Sequence, residues 1–256
     1  MKKVFLLIGL FILFTGFVSL NSLAQEAEEP TLFLLMEEFV APSDLAEFWK
    51  VQSEVLELFD ELKFDMTFYT YRTDDNSFYW ALPLKSFASI DELFAKMMSN
   101  QKRLKEKGYD PGAKFRDLST ISQSVVSLNK ELSYHTTEKP EGTEPDNFYE
   151  WTFFHLKSGH EKEAAEAAKK YMEFYDNIEE NFEWNVYEVL LGNNTPCWIF
   201  ETSAESELAM RKLESDMQKK YGNDFQKLWQ SFSQHVSTME TKKGWYLPDW
   251  TRYPGK

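Results

Sequence analysis

The residues able to do chemistry are few and scattered. The chain has four histidines (His135, His155, His160 and His235) and one cysteine, Cys197. None of them falls into a zinc-site spacing. There is no G-x-S-x-G, no H-E-x-x-H and no glycine-rich phosphate loop, so neither a hydrolase elbow nor a metalloprotease or nucleotide motif is on offer. The expectation is a protein that needs no metal and no cofactor. Cys197 lies in the apolar run Pro196-Cys-Trp-Ile-Phe200 and reads as a buried strand cysteine.

The candidates that remain are side chains suited to an apolar ligand. Tyr71 and Tyr187 recur at equivalent places in the chain, and tyrosine hydroxyls in an apolar cavity can fix the polar end of a ligand. Trp151, Phe153 and His155 alternate along one strand and would share a face, with His155 near the rim of a cavity. Each also has a plainer reading, in which the tyrosines are core residues and His155 is a satisfied strand histidine. Trp80 and Trp198 read as core. His235 is expected on the last helix of the second half, and His160 in the first turn of another.

The elements that must position these residues occur twice. Residues 31–135 can be laid on 147–246 at an offset of about 116, drifting to about 111 near the end. Tyr71 then falls on Tyr187, Trp80 on Trp198, Gly108 on Gly222, and Ile121-Ser-Gln-Ser-Val125 on Phe232-Ser-Gln-His-Val236. The same overlay puts Phe39 on His155 and Ser124 on His235. A repeat of this length is a duplicated domain, not a solenoid unit. The division is 1–24 signal peptide, 25–138 repeat 1, 139–146 linker and 147–256 repeat 2.

Each copy reads strand, helix, strand, strand, helix, helix, strand. In the first, Thr31–Val40 is an apolar run interrupted by Glu37 and Glu38. Ser43 caps a helix to about Lys63, with a stripe that includes Phe48, Val55 and Leu62. Met66–Arg72 and Phe78–Leu84 are strands around the turn Asp74-Asp75-Asn76. Ser89-Ile-Asp-Glu92 is a capping box opening a helix that stops at Gly108. A further helix follows with Phe115, Leu118, Ile121, Val125 and Leu128, then a short strand over Leu132–Thr136. In the second copy the strands are Phe148–Leu156, Phe182–Leu190 and Cys197–Glu201. A capping box at Ser158-Gly-His-Glu161 opens one helix, and Ser206 opens another that reaches Gly222. A last helix carries Phe225, Leu228, Phe232, Val236 and Met239.

The N-terminus reads as an export signal: Lys2 and Lys3, an apolar run Val4–Leu20, then Ser22 and Ala24 before a cleavage point. Periplasmic or extracellular location follows as an expectation, with no stable membrane association after cleavage. The net charge is −14, and loss of Lys2 and Lys3 makes it two units more negative. That balance argues against nucleic acid and anionic membranes as partners. With a single cysteine the chain has no internal disulfide. Its 42 Phe, Tyr and Trp residues can supply the core instead.

The strands carry rings on both faces. In Met66-Thr-Phe-Tyr-Thr-Tyr71 and in Phe182–Tyr187, large apolar residues point both ways. The helices of one copy can cover only one face, so the other copy must cover the second. The predicted fold is α+β: two ferredoxin-like repeats forming an intrachain α+β barrel. The strand–helix–strand–strand–helix–strand order resembles the dimeric α+β barrel superfamily. The junction Phe154-His-Leu-Lys-Ser-Gly-His-Glu-Lys-Glu163 resembles its NIPSNAP and antibiotic biosynthesis monooxygenase branches. Copy one departs from that junction, with Pro42-Ser43 in place of the glycine. The ring-lined interior suggests a small apolar or aromatic ligand held between the repeats, by Tyr71, Tyr187, His155 and Trp151; the resemblance implies, as the alternative, a cofactor-independent monooxygenase. A haem-handling relative would use His235 or His155 as ligand. A barrel whose interior is simply filled is the third reading.

Overall fold

The computed structural model describes residues 31–135, 145–180, 182–192 and 195–254. The expected signal peptide 1–24 and most of the linker lie outside the described residues. The first half runs β1 (Leu32–Val40), α1 (Leu45–Glu61), β2 (Tyr69–Thr73), β3 (Ser77–Leu84), α2 (Ser89–Glu106), a four-residue α3 (Pro111–Lys114) and β4 (Ser119–Leu128). The second runs β5 (Phe148–Leu156), α4 (Glu161–Tyr175), β6 (Asn185–Leu191), β7 (Cys197–Ala204), α5 (Glu207–Ser233) and β8 (Val236–Tyr246). A 3₁₀ turn at Pro248–Trp250 ends the regular structure.

The eight strands close into one antiparallel barrel in the order β1-β3-β2-β8-β5-β7-β6-β4. Closure removes every sheet edge. The first half contributes β4-β1-β3-β2 and the second β8-β5-β7-β6, joined through β2–β8 and β4–β6. Alternation then sorts the rings. One face of the strands points into the barrel and buries Tyr149, Trp151, Ile199, Val126 and Tyr246, with Tyr71, Phe153 and Tyr187 against them. The other face points outward and is covered by helices. Phe48, Leu56, Phe78 and Leu82 form the core of the first half, and Ala164, Tyr175, Trp198 and Phe232 that of the second. Gly244 on β8 is required by this packing. A Cβ there would overlap the Trp151 ring and come within 3.0 Å of the Arg72 carbonyl oxygen.

Each half is completed by the tail of the other. After β4, Leu132 and Tyr134 enter the second-half core, where Tyr134 bridges Trp184 and the Trp184 indole donates to the Leu132 carbonyl at 2.8 Å. After β8, Trp250 enters the first-half core and stacks on Trp80 at 6.0 Å and Phe78 at 5.5 Å. Thr70 donates its hydroxyl to the Trp250 carbonyl, and its N–H goes to the Thr251 hydroxyl.

Several expectations are corrected. The stretch expected as a helix through Ile121, Val125 and Leu128 is strand β4, and of the expected strand at 132–136 the described residues 132–135 form the exchanged tail, with one bridge at Tyr134. In the second half α5 runs unbroken through Gly222, and Val236 and Met239 belong to β8. The overlay of Gly108 on Gly222 therefore fails: Gly108 ends α2 with φ +83°, whereas Gly222 sits inside a helix. Ser89 and Ser158 are not caps. Ala88 and His160 hold those positions without side-chain bonds, and Ser89 Oγ instead donates to the Ser86 carbonyl at 2.6 Å. Asp44, not Ser43, is the N-cap of α1. Ser206 does cap α5, accepting from the Ala209 N–H at 3.2 Å.

Candidate functional site

A cavity of ~430 Å³ lies in the first half between α1, α2 and the outer wall of the barrel. Its lining is mostly Phe, Met and Leu, including Phe59, Phe68, Phe94 and Met97. Three polar side chains are buried in that apolar setting: Glu38 on β1 (8 % exposed), Gln52 on α1 (7 %) and Asn100 on α2 (7 %). Strand alternation sends Glu37 into the barrel and Glu38 outward, on the same face as Met36 and its β3 partner Trp80. Glu38 Oε1 accepts from the Ser119 hydroxyl at 2.5 Å and Oε2 from the Trp80 indole N–H at 3.2 Å. Burial pushes the Glu38 carboxyl above its ordinary value, and the bonds from Ser119 and Trp80 offset only part of this. Asn100 Nδ2 donates weakly to the Met66 sulfur at 3.1 Å. The Gln52 carboxamide has no hydrogen-bond partner among the described residues. A buried carboxyl whose pKa is raised, beside an uncommitted amide in a largely apolar cavity, is a candidate for exchanging a proton with a bound molecule.

The second half has a chamber in the corresponding layer, ~370 Å³, walled by Phe154, Tyr171, Trp184, Trp198, Trp229 and Phe232 among others. It has no counterpart of Glu38. Phe154 faces Trp198 as Met36 faces Trp80, and two residues further along β5 stands Leu156. The one carboxylate on its lining, Glu214, accepts from Arg211 at 2.6 Å.

The barrel interior holds a third cavity, ~300 Å³. The structure brings Tyr71, Tyr187 and Trp151 together on its wall, as the alternation predicts. The Tyr71 ring meets those of Tyr149, Trp151 and Tyr246 at 5.0–5.4 Å. Burial raises the Tyr71 hydroxyl well above the phenol range, so it stays protonated. Glu201, which sequence reading passed over, faces the same space and accepts from Trp151 Nε1 at 2.7 Å, Asn185 Nδ2 at 2.9 Å and the Tyr187 hydroxyl at 3.4 Å.

His155 does not join this group. It lines a smaller cavity of ~190 Å³ at another part of the interior, beside Lys242 and Glu37. Lys242 bonds Glu37 at 2.6 Å and Asp75 at 2.9 Å, tying β8 to the first half. His235 is not on the last helix. It follows the α5 cap residue Gln234 and sets its Nδ1 3.1 Å from Nδ1 of His160. Neither histidine fits a haem ligand: the cavity at His155 is below the ~300–1,000 Å³ of ordinary ligand pockets, and His235 lines none of the four cavities described here. Among the described residues no three of His, Cys, Asp and Glu gather in a metal-binding group. Cys197 is buried, with its thiol pushed up to about 11. Glu38 and Gln52 were missed for want of register: the interruption of an apolar strand by two acids was visible, but not which of them entered a chamber.

The chain's sequence matches no family model and no curated protein. Solved structures do resemble it. An anthrone oxidase-like protein superposes with a TM-score of 0.63 at 14% identity, covering 90% of this chain and 95% of the other. A Fusobacterium nucleatum subsp. nucleatum protein assigned as a monooxygenase gives 0.51 at 12% identity, covering 86% and 94%. At such identities the likeness establishes a fold of the dimeric α+β barrel type and nothing about chemistry.

Proposed function

We propose that this protein takes a small apolar or aromatic molecule into the first-half chamber and removes a proton from it through Glu38, as the first step of a monooxygenase-type reaction. The observation that carries this reading is the Glu38 carboxyl, 8 % exposed in a cavity of ~430 Å³ in which it is the one titratable group on the lining. The ionised carboxylate takes the substrate proton. Gln52 holds the substrate's polar atom, and Ser119 and Trp80 fix the carboxylate's orientation. The substrate carbanion then reacts with dioxygen, so that R₂CH₂ + O₂ gives R₂C=O + H₂O, with one oxygen atom in each product and no outside reductant. The fold of the neighbours supports the reaction class by analogy only. The test is oxygen uptake with a panel of aromatic phenols and ketones bearing acidic C–H bonds. Glu38→Gln should lower the rate by roughly 10²–10⁴-fold, the usual worth of a general base, while quenching of tryptophan fluorescence by the same compounds persists. Uptake that is equal in both proteins removes Glu38 from the mechanism.

A second reading rests on Tyr71, whose hydroxyl has no hydrogen-bond partner among the described residues although its ring is packed among three others. In that reading the ligand sits inside the barrel, between the halves, against Tyr71 and Tyr187. We further propose that the halves are two ferredoxin-like repeats, on the strength of their shared strand order. The chain is exported after loss of residues 1–24, which N-terminal sequencing of protein from its host would check.

A further inference from the structure

We infer that the second-half chamber is a separate binding site for a neutral, planar aromatic molecule carrying a hydrogen-bond acceptor, which it holds without changing it. The inference is independent of the reaction proposed for the first half. Its first ground is shape and surface: ~370 Å³ of space among aromatic rings, enough for a fused-ring ligand whose faces meet those of Trp184, Trp198 and Phe225. Its second ground is a committed wall with uncommitted donors. Trp198 is 6 % exposed, yet no described residue accepts from its Nε1, and that atom is not sealed from the cavity. In the first half the matching indole, Trp80, donates to Glu38. In the second half Leu156 stands where that carboxylate would be, so the N–H of Trp198 is left for a ligand. Tyr171 lines the same space and makes no described side-chain hydrogen bond. Burial raises its hydroxyl to about 12, which keeps it a donor.

These donors, with those of Tyr175, Gln218 and Trp229 on the same lining, and no free charge define the occupant. Arg211 is engaged by Glu150 and Glu214, and Glu214 is thereby engaged in turn. A charged ligand would be buried without a partner, which is costly. A carbonyl or ether oxygen on an aromatic frame would satisfy the indole N–H. With no group free to take or give a proton, the ligand leaves as it entered.

The probes are 9-fluorenone and fluorene, which share a frame and differ in the carbonyl, titrated into the full chain by calorimetry. Fluorenone should bind more tightly than fluorene. Trp198→Phe keeps a ring and removes the N–H, so it should weaken fluorenone by ~2–13-fold, the worth of one neutral hydrogen bond, and leave fluorene unchanged. Ala168→Phe, which fills the chamber from α4, should weaken both. Fluorenone should be recovered intact. Equal affinity for the two probes, indifference of fluorenone binding to Trp198→Phe in a protein that still melts cooperatively, or conversion of fluorenone would overturn the inference.

Discussion

The two helix-covered chambers sit on the same strand order and differ in polarity at the register position beside the tryptophan. On β1 the residue two beyond the tryptophan-facing site is Glu38; on β5 it is Leu156. The first choice places a carboxyl between Ser119 and Trp80, the group to which the proposed proton transfer is assigned. The second leaves the Trp198 indole N–H without an acceptor among the described residues, the feature on which the proposed binding site rests. One barrel thus presents two differently furnished chambers, because the fold fixes where outward side chains point and leaves their identity free.

The comparison would break if the halves were independent, and the exchanged tails forecast that they are not. Trp250 belongs to the second half by sequence and is buried against Trp49, Phe78 and Trp80 of the first. Trp184 is its structural opposite, covered by Leu132 and Tyr134 from the first half. Trp250→Ala and Trp184→Ala should each cost about 3–5 kcal/mol. Urea unfolding of each followed by fluorescence and by circular dichroism should show a single shared transition. Two separated transitions would mean two independent bodies.

A reciprocal exchange sharpens the contrast. Leu156→Glu places a carboxyl at a buried site, 4 % exposed, with none of the Ser119 support. It should destabilise by at least ~1–3 kcal/mol at neutral pH and recover part of that on acidification. Thermal melts at two pH values decide the matter; a variant as stable as the parent at both would show that the two sites are not opposites.

The pH dependence of Glu38 follows with a definite sign. Its folded pKa is raised, so above the ordinary value of 4.5 the folded state keeps a proton that the unfolded chain has lost. Stability therefore falls as pH rises from the ordinary value to the raised one. The adjacent Glu37 behaves oppositely. Burial pushes it up, but the bonds from Lys242 and Tyr79 and the Lys242 charge outweigh that and leave it lowered. Its contribution is present above 4.5 and is lost as pH falls through the lowered value. Glu38→Gln should flatten the loss on the alkaline side of 4.5, and Glu37→Gln the loss on the acid side. Urea midpoints taken from pH 3 to 8 would read both slopes; identical profiles for the two variants would refute the opposed environments.

How much of this was legible depended on whether the signal was local. The strand Phe148–Leu156 was readable to its ends because rings alternate on both faces and glycine follows. The need for a covering second sheet followed from the same rings, and so did the company of Tyr71, Tyr187 and Trp151. β4 was misread because Phe115, Leu118, Ile121, Val125 and Leu128 also fit a helical period. The Ser, Thr and Val residues between them favour a strand, and pairing with β1 and β6 decided the outcome. Gly222 was taken for a stop, yet a glycine inside a helix costs only about 1 kcal/mol against alanine, and α5 absorbs it. The exchanged tails and the Glu38–Ser119–Trp80 group join residues 42 or more positions apart, which no window of sequence displays.

The smallest expected effect separates the interior tyrosines from each other. They occupy matching strands, but Tyr187 donates to Glu201 at 3.4 Å, a long bond, whereas the Tyr71 hydroxyl has no partner among the described residues. Each Tyr→Phe change removes one oxygen and almost no volume. Tyr187→Phe should lower stability by about 0.5–1.5 kcal/mol, because a hydrogen bond to a half-buried carboxylate is lost. Tyr71→Phe should leave stability nearly unchanged, because no hydrogen bond within the protein is lost. If the ligand sits in the barrel, as the second reading has it, the order reverses for binding. Tyr71→Phe then loses the group that was free to meet the ligand and weakens binding by ~2–13-fold, while Tyr187 keeps to its structural role. Melting and ligand titration of both variants and of the double mutant would show the cross-over. Equal losses of stability in the two single variants would mean that the tyrosines are ordinary core residues, and that the interior of the barrel is packing alone.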